Sequence, residues 1–155
     1  MENSPENIEV TLDKASMQDV DTFLALERKV SGLPTYSPTL SEEEMRRDLE
    51  TGVAYLIKHE NTPIGSIMYD EKGDVAYISY MVVDPAYQGR GVARKALISV
   101  LEELKGKRRI ELVTHPDNAK ALKLYQSLGF IVEGRKENYY GDGEPRLMLV
   151  KENQT

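Results

Sequence analysis

Gly89 and Gly91 sit among Arg90, Arg94 and Lys95, directly ahead of a run in which Ala93, Ala96, Leu97, Val100, Leu101 and Leu104 recur at helical spacing. A glycine turn that opens into a helix directs unpaired N–H groups and the positive end of the helix dipole at whatever lies in front of it. The chemistry on offer is anion binding. Three cations at one turn of an acidic chain point to a phosphorylated ligand, and the competing reading is a tight turn with no ligand. A second group that could do chemistry is Glu27, which falls on the apolar stripe Val20, Phe23, Leu24, Val30. It lies either at the edge of that face or in a cleft. The chain has no cysteine, so no thiol nucleophile exists and a cysteinyl acyl-enzyme is excluded.

These groups need elements to hold them. Val75–Val83 is almost wholly apolar or aromatic and rich in β-branched residues, as a central strand covered on both faces requires, and Asp84-Pro85 ends it. The helix after the glycine turn runs to about Lys105, before Gly106. Ahead of this unit, Ile8–Leu12 alternates as a first strand, Ser16 and Asp19 resemble a helix cap, and a helix runs to about Lys29. Gly32, Pro34 and Pro38 make 31–40 a loop, and Ser41-Glu42-Glu43-Glu44 opens a second helix that Gly52 stops. Val53–Lys58, Pro63–Tyr69 and Val75–Val83 form an antiparallel meander. Arg109–Thr114 is a fifth strand and Asn118–Leu128 a helix closed by Gly129. Ile131–Tyr139 and Arg146–Lys151 pair across Gly141-Asp142-Gly143. The result is one α/β domain over 1–155, a mixed sheet of about seven strands with four helices on both faces, and residues 1–7 a loose tail.

Gln88-x-x-Gly91-x-Ala93 after a hydrophobic strand resembles the acyl-CoA pyrophosphate loop of the GNAT superfamily, the GCN5-related N-acetyltransferases. Downstream, Asn118-Ala119-Lys120-Ala121-Leu122-Lys123-Leu124-Tyr125-Gln126-Ser127-Leu128-Gly129-Phe130 resembles the family's Asn-x-x-Ala-x-x-Leu-Tyr-x-x-x-Gly-Phe segment. The element order is that of the GNAT fold. The resemblance implies acetyl-CoA as cosubstrate, with its arm in a cleft between the strands ending at Val83 and Thr114. Met81, Val82 and Val83 would meet the arm, Gln88, Gly89, Arg90, Gly91, Val92, Ala93 and Arg94 the pyrophosphate, and Asn118, Ala121 and Tyr125 the far side. Tyr125 would protonate the leaving thiolate; its alternative is a core tyrosine between Leu122 and Leu128.

The branch most resembled is that of the N-terminal and ribosomal-protein acetyltransferases. Tyr139-Tyr140-Gly141-Asp142-Gly143-Glu144 is similar to its peptide-gripping hairpin, and Leu33-Pro34-Thr35-Tyr36 to its acceptor loop, which makes Leu33, Tyr36, Tyr80, Tyr139 and Tyr140 the expected substrate contacts. Thr35 and Pro145-Arg146 depart from the branch pattern. Val113 stands where the branch often has its base, leaving Glu27 and His115 as candidates; His115 either acts through water or caps its strand.

Net charge −6 and pI near 5.1 argue against non-specific nucleic-acid binding and favour cationic partners. No run suits a signal peptide or a membrane span, so the expectation is a cytoplasmic protein, monomer or homodimer, with no metal. A lysine or polyamine amine of pKa ~10.4 costs about 4–5 kcal/mol to deprotonate at pH 7, and a peptide α-amine near ~7.8 only about 1. That favours an α-amine acceptor, while the acidic charge keeps small cationic amines open. A CoA-binding sensor without turnover is the reading from another class. A dinucleotide-binding unit fits poorly, because a meander precedes the glycine turn.

Overall fold

The computed structural model describes residues 7–33 and 41–153. The described elements are β1 (Thr11–Lys14), α1 (Val20–Val30), α2 (Glu42–Thr51), β2 (Val53–His59), β3 (Thr62–Lys72), β4 (Val75–Val83), α3 (Val92–Glu103), β5 (Arg109–Thr114), α4 (Ala119–Ser127), β6 (Ile131–Lys136) and β7 (Arg146–Glu152). The strands form one sheet in the order β1-β2-β3-β4-β5-β7-β6. The expected mixed architecture is present, with β4 at its centre.

Local chemistry explains most boundaries. Ser16 and Asp19 form a reciprocal capping box around a short 3₁₀ turn, Met17–Asp19, which leads into α1. Ser41 accepts the Glu44 N–H at the start of α2, and Asn118 Oδ1 accepts the Ala121 N–H at the start of α4. One face of the sheet packs on α3 and α4 through Leu97, Val100, Ile110 and Phe130. The other packs on α1 and α2 through Phe23, Leu24, Met45 and Met68. Two cores thus clamp one sheet.

The first strand starts later than its alternation suggests. The Ile8 N–H donates to Arg90 O and Ile8 O accepts from Lys95 Nζ, so this backbone is committed to the start of α3, and pairing with β2 begins only at Thr11. The last hairpin is also shorter: β6 ends at Lys136, and Asn138 adopts positive φ where the chain turns. Asn7 has its side chain against Gly91; the rest of the expected tail lies outside the described residues.

The feature that makes the site is a failure of pairing. β4 and β5 run parallel but pair only between Val75–Tyr77 and Arg109–Glu111. Beyond Tyr77 they part. On its other edge β4 carries a bulge: Tyr69 opposes Ile78 and Met68 opposes Tyr80, leaving Ser79 as the extra residue. A bulge bends and twists the strand that carries it, here at the point where β4 leaves β5.

Candidate active site

The parted strands enclose a cleft of about 260 Å³. Its walls are the C-terminal half of β4 from Ile78 to Val83, the end of β5 from Leu112 to His115, and the α4 residues Asn118, Ala121 and Tyr125. Glu27 and Val30 enter it from α1, and Tyr140 and Arg146 from the β6–β7 side. Elements far apart in sequence meet here because β4 and β5 stop pairing.

Glu27 is only 2% exposed and lines the cleft, which decides between its two sequence readings. Helical spacing from Phe23 and Leu24 carries it inward with the apolar stripe, so it is not an edge residue. Tyr125 is buried at 8% exposure, borders the cleft, and has Phe130 edge-on at a centroid distance of 6.0 Å. Its ring therefore packs in the core while the residue also faces the cleft. With Asn118 Oδ1 engaged in capping α4, its side-chain NH₂ is the donor that the cap does not use.

The glycine turn has the expected geometry. Gly89 and Gly91 take φ of 81° and 79°, values that L side chains rarely adopt, and Gly91 is the N-cap of α3. Gln88 and Ala93 border the cleft, whereas Gly89, Arg90, Gly91, Val92 and Arg94 lie outside its lining. Gln88 Nε2 donates to Val83 O at 3.0 Å, tying the turn to the end of β4. The cations already have partners: Arg94 donates to Ser127 Oγ at 3.0 Å, Lys95 to Ile8 O at 2.7 Å, and Arg90 lies over the Tyr87 ring at 5.8 Å.

Of the candidate bases, His115 is the more constrained. It is 4% exposed; its Nδ1 accepts the Asp117 N–H at 3.0 Å, which makes Nε2 the protonated nitrogen and donor to Glu144 Oε1 at 2.7 Å. Both ring nitrogens are engaged. His115 caps the strand end, and its Nδ1 lone pair is already in use.

The acceptor-side expectations divide. Tyr80 and Tyr140 line the cleft, and the Tyr80 hydroxyl donates to Asp48 Oδ2 of α2. Tyr139 is not in the lining but stacks edge-on against Tyr140 at 4.8 Å. Tyr140 is half exposed as a residue, and desolvation of its hydroxyl is the largest influence holding the phenol above its ordinary pKa. Leu33 is exposed and outside the lining; Tyr36 lies outside the described residues. Arg146 was missed as a cleft residue, although it is 3% exposed and lines the cleft. The available signal was one arginine opening the apolar run Leu147-Met148-Leu149-Val150. Among the described residues, no group of three or more His, Cys, Asp or Glu could hold a metal ion.

The model of the acetyltransferase (GNAT) family matches residues 21–130, and the chain belongs to that family. A ribosomal protein bS18-alanine N-acetyltransferase of Escherichia coli (strain K12) is 27% identical over 132 residues, covering 84% of this chain and 86% of that one. The N-alpha-acetyltransferase RimI of Mycobacterium tuberculosis is 45% identical over 58 residues, 37% of this chain and 36% of that relative's length. In structure, the chain is similar to the ribosomal-protein-S18-alanine N-acetyltransferase from Escherichia coli, with a TM-score of 0.83, 23% identity, and coverage of 95% and 96% of the two chains. No described helix is long and apolar enough to cross a membrane.

Proposed function

We propose that this chain transfers the acetyl group of acetyl-CoA directly to a primary amine, and that the acceptor is the α-amine of a protein or peptide. The observation that carries the reading is the single cleft in which Tyr125, Glu27 and the unpaired half of β4 meet. Acetyl-CoA would rest its pyrophosphate on the N–H groups from Gln88 to Arg94 and its arm along Met81–Val83, with Asn118 steadying it. The amine nitrogen then attacks the thioester carbon, polarised by backbone N–H near Val82 and Val83, and the C–S bond breaks as the amide forms. Glu27 takes the proton lost by the amine, directly or through water, and Tyr125 supplies one to the departing thiolate. Absence of cysteine supports direct transfer over an acyl-enzyme.

The names of the bS18-alanine and RimI relatives support an α-amine acceptor. A second reading, a polyamine or other small cationic amine, draws support from the buried Glu27 carboxylate, which offers a cation its counter-charge. Thiol release from acetyl-CoA, measured with peptides bearing free N-termini and with spermidine, decides between them. A preference of at least tenfold in kcat/KM for peptides is expected, since the amine pKa difference alone favours them. Preference for spermidine would overturn the acceptor assignment, and no thiol release with any amine would overturn the reaction.

A further inference from the structure

We propose that the segment joining β6 to β7, residues 137–145, is held in position at the acceptor side of the cleft by a double latch, with His115 and Arg146 as positioning residues. The inference rests on the proposed reaction for what the segment meets. Its latch rests on geometry alone.

Two cleft-lining side chains, His115 at 4% and Arg146 at 3% exposure, are each engaged by an acid of this segment. His115 Nε2 donates to Glu144 Oε1 at 2.7 Å, and Arg146 Nη2 donates to Asp142 Oδ2 at 3.0 Å. The two acids are themselves joined, because the Glu144 N–H donates to Asp142 Oδ1 at 2.9 Å. On the far side the guanidinium lies over the Tyr140 ring at 5.1 Å, which sets the one aromatic residue of the segment that lines the cleft. At the other end, His115 Nδ1 accepts the Asp117 N–H one residue before Asn118, the cap of α4. A continuous chain of polar contacts thus runs from the helix expected to hold the CoA arm to the aromatic ring at the acceptor mouth. Hydrogen bonds to charged groups are the stronger kind, and the buried ends of this chain have little water with which to exchange them.

The acids sit on the exposed side of the latch, with the Glu144 side chain 52% accessible, so removing one opens the latch without emptying the core. His115 therefore orients the segment and does not collect the amine proton.

The test uses Glu144→Ala and Glu144→Gln in the full chain. Glu144→Ala should raise the acceptor KM about tenfold, the worth of one charge-assisted hydrogen bond, with kcat, acetyl-CoA KM and the pH profile unmoved. Glu144→Gln keeps an acceptor oxygen for His115 Nε2 and should recover most of that loss. An unchanged acceptor KM would overturn the positioning role, and a fall in kcat with an altered pH profile would overturn it and return His115 to the chemistry. Amide hydrogen exchange at 137–145 is the readout independent of turnover: it should be faster in Glu144→Ala than in wild type. Unchanged exchange sinks the latch even if no amine is acetylated, whereas a wild type without transferase activity counts against the proposed reaction alone.

Discussion

Individual side chains separate into those that the sequence identifies and those that only contact reveals. Tyr125 was singled out by the resemblance of the Asn118–Phe130 segment, since helical spacing alone makes it a core tyrosine, while spacing put Glu27 on the apolar stripe of its helix and left edge and cleft both open. Tyr125→Phe keeps the ring packed on Phe130 and removes only the hydroxyl. Turnover should fall on the order of tenfold to a thousandfold with CoA affinity retained, measured by steady-state kinetics beside calorimetry. Wild-type turnover would mark Tyr125 as a core residue only. Glu27→Gln should lower kcat/KM by about 10²-fold or more, the low end for a general base. The partnership of His115 with Glu144 could not be read in advance, since the residues are 29 positions apart and join only when the last hairpin folds back onto β5.

The elements were read from apolar runs and caps, and most ends fall within a residue or two of expectation; β1 failed because alternation reports burial and not the direction in which backbone groups bond. The glycine turn is constrained by its own backbone and by a neighbouring side chain. At Gly91 a side chain meets both a positive φ and the Asn7 side chain, 2.9 Å from the position of an added Cβ. Gly91→Glu should abolish acetyl-CoA binding in a calorimetric titration, and a thermal melt alongside it separates lost binding from lost fold. At the end of β4, burial alone would push the Asp84 carboxyl up, but hydrogen bonds from Lys29 and the Ala86 N–H, with the Lys29 charge, outweigh it and hold the group below its usual value. A depressed carboxyl stabilises the fold above its unfolded pKa, about 3.9, and that contribution is lost as pH falls through the folded value. The Tm advantage of wild type over Asp84→Asn should therefore be present at neutral pH and shrink below about pH 4. An advantage that is flat with pH would show that the Lys29 pair adds nothing to stability.

For the molecule as a whole, charge and the parting of the sheet set the behaviour. A net charge of −6 would steer encounter with basic peptides, in which case kcat/KM for such peptides should fall as salt shortens the Debye length from about 30 Å at 0.01 M to about 8 Å at 0.15 M. Neutral peptides provide the comparison, and equal salt dependence for both would remove the steering argument. The sheet is continuous in its strand order, yet its two halves, β1–β4 and β5–β7, share only the short ladder between Val75–Tyr77 and Arg109–Glu111. An extended ligand arm laid between them would act as an eighth strand, supplying rungs that the polypeptide lacks. A cosubstrate bound there would then stabilise the fold as well as enter the reaction.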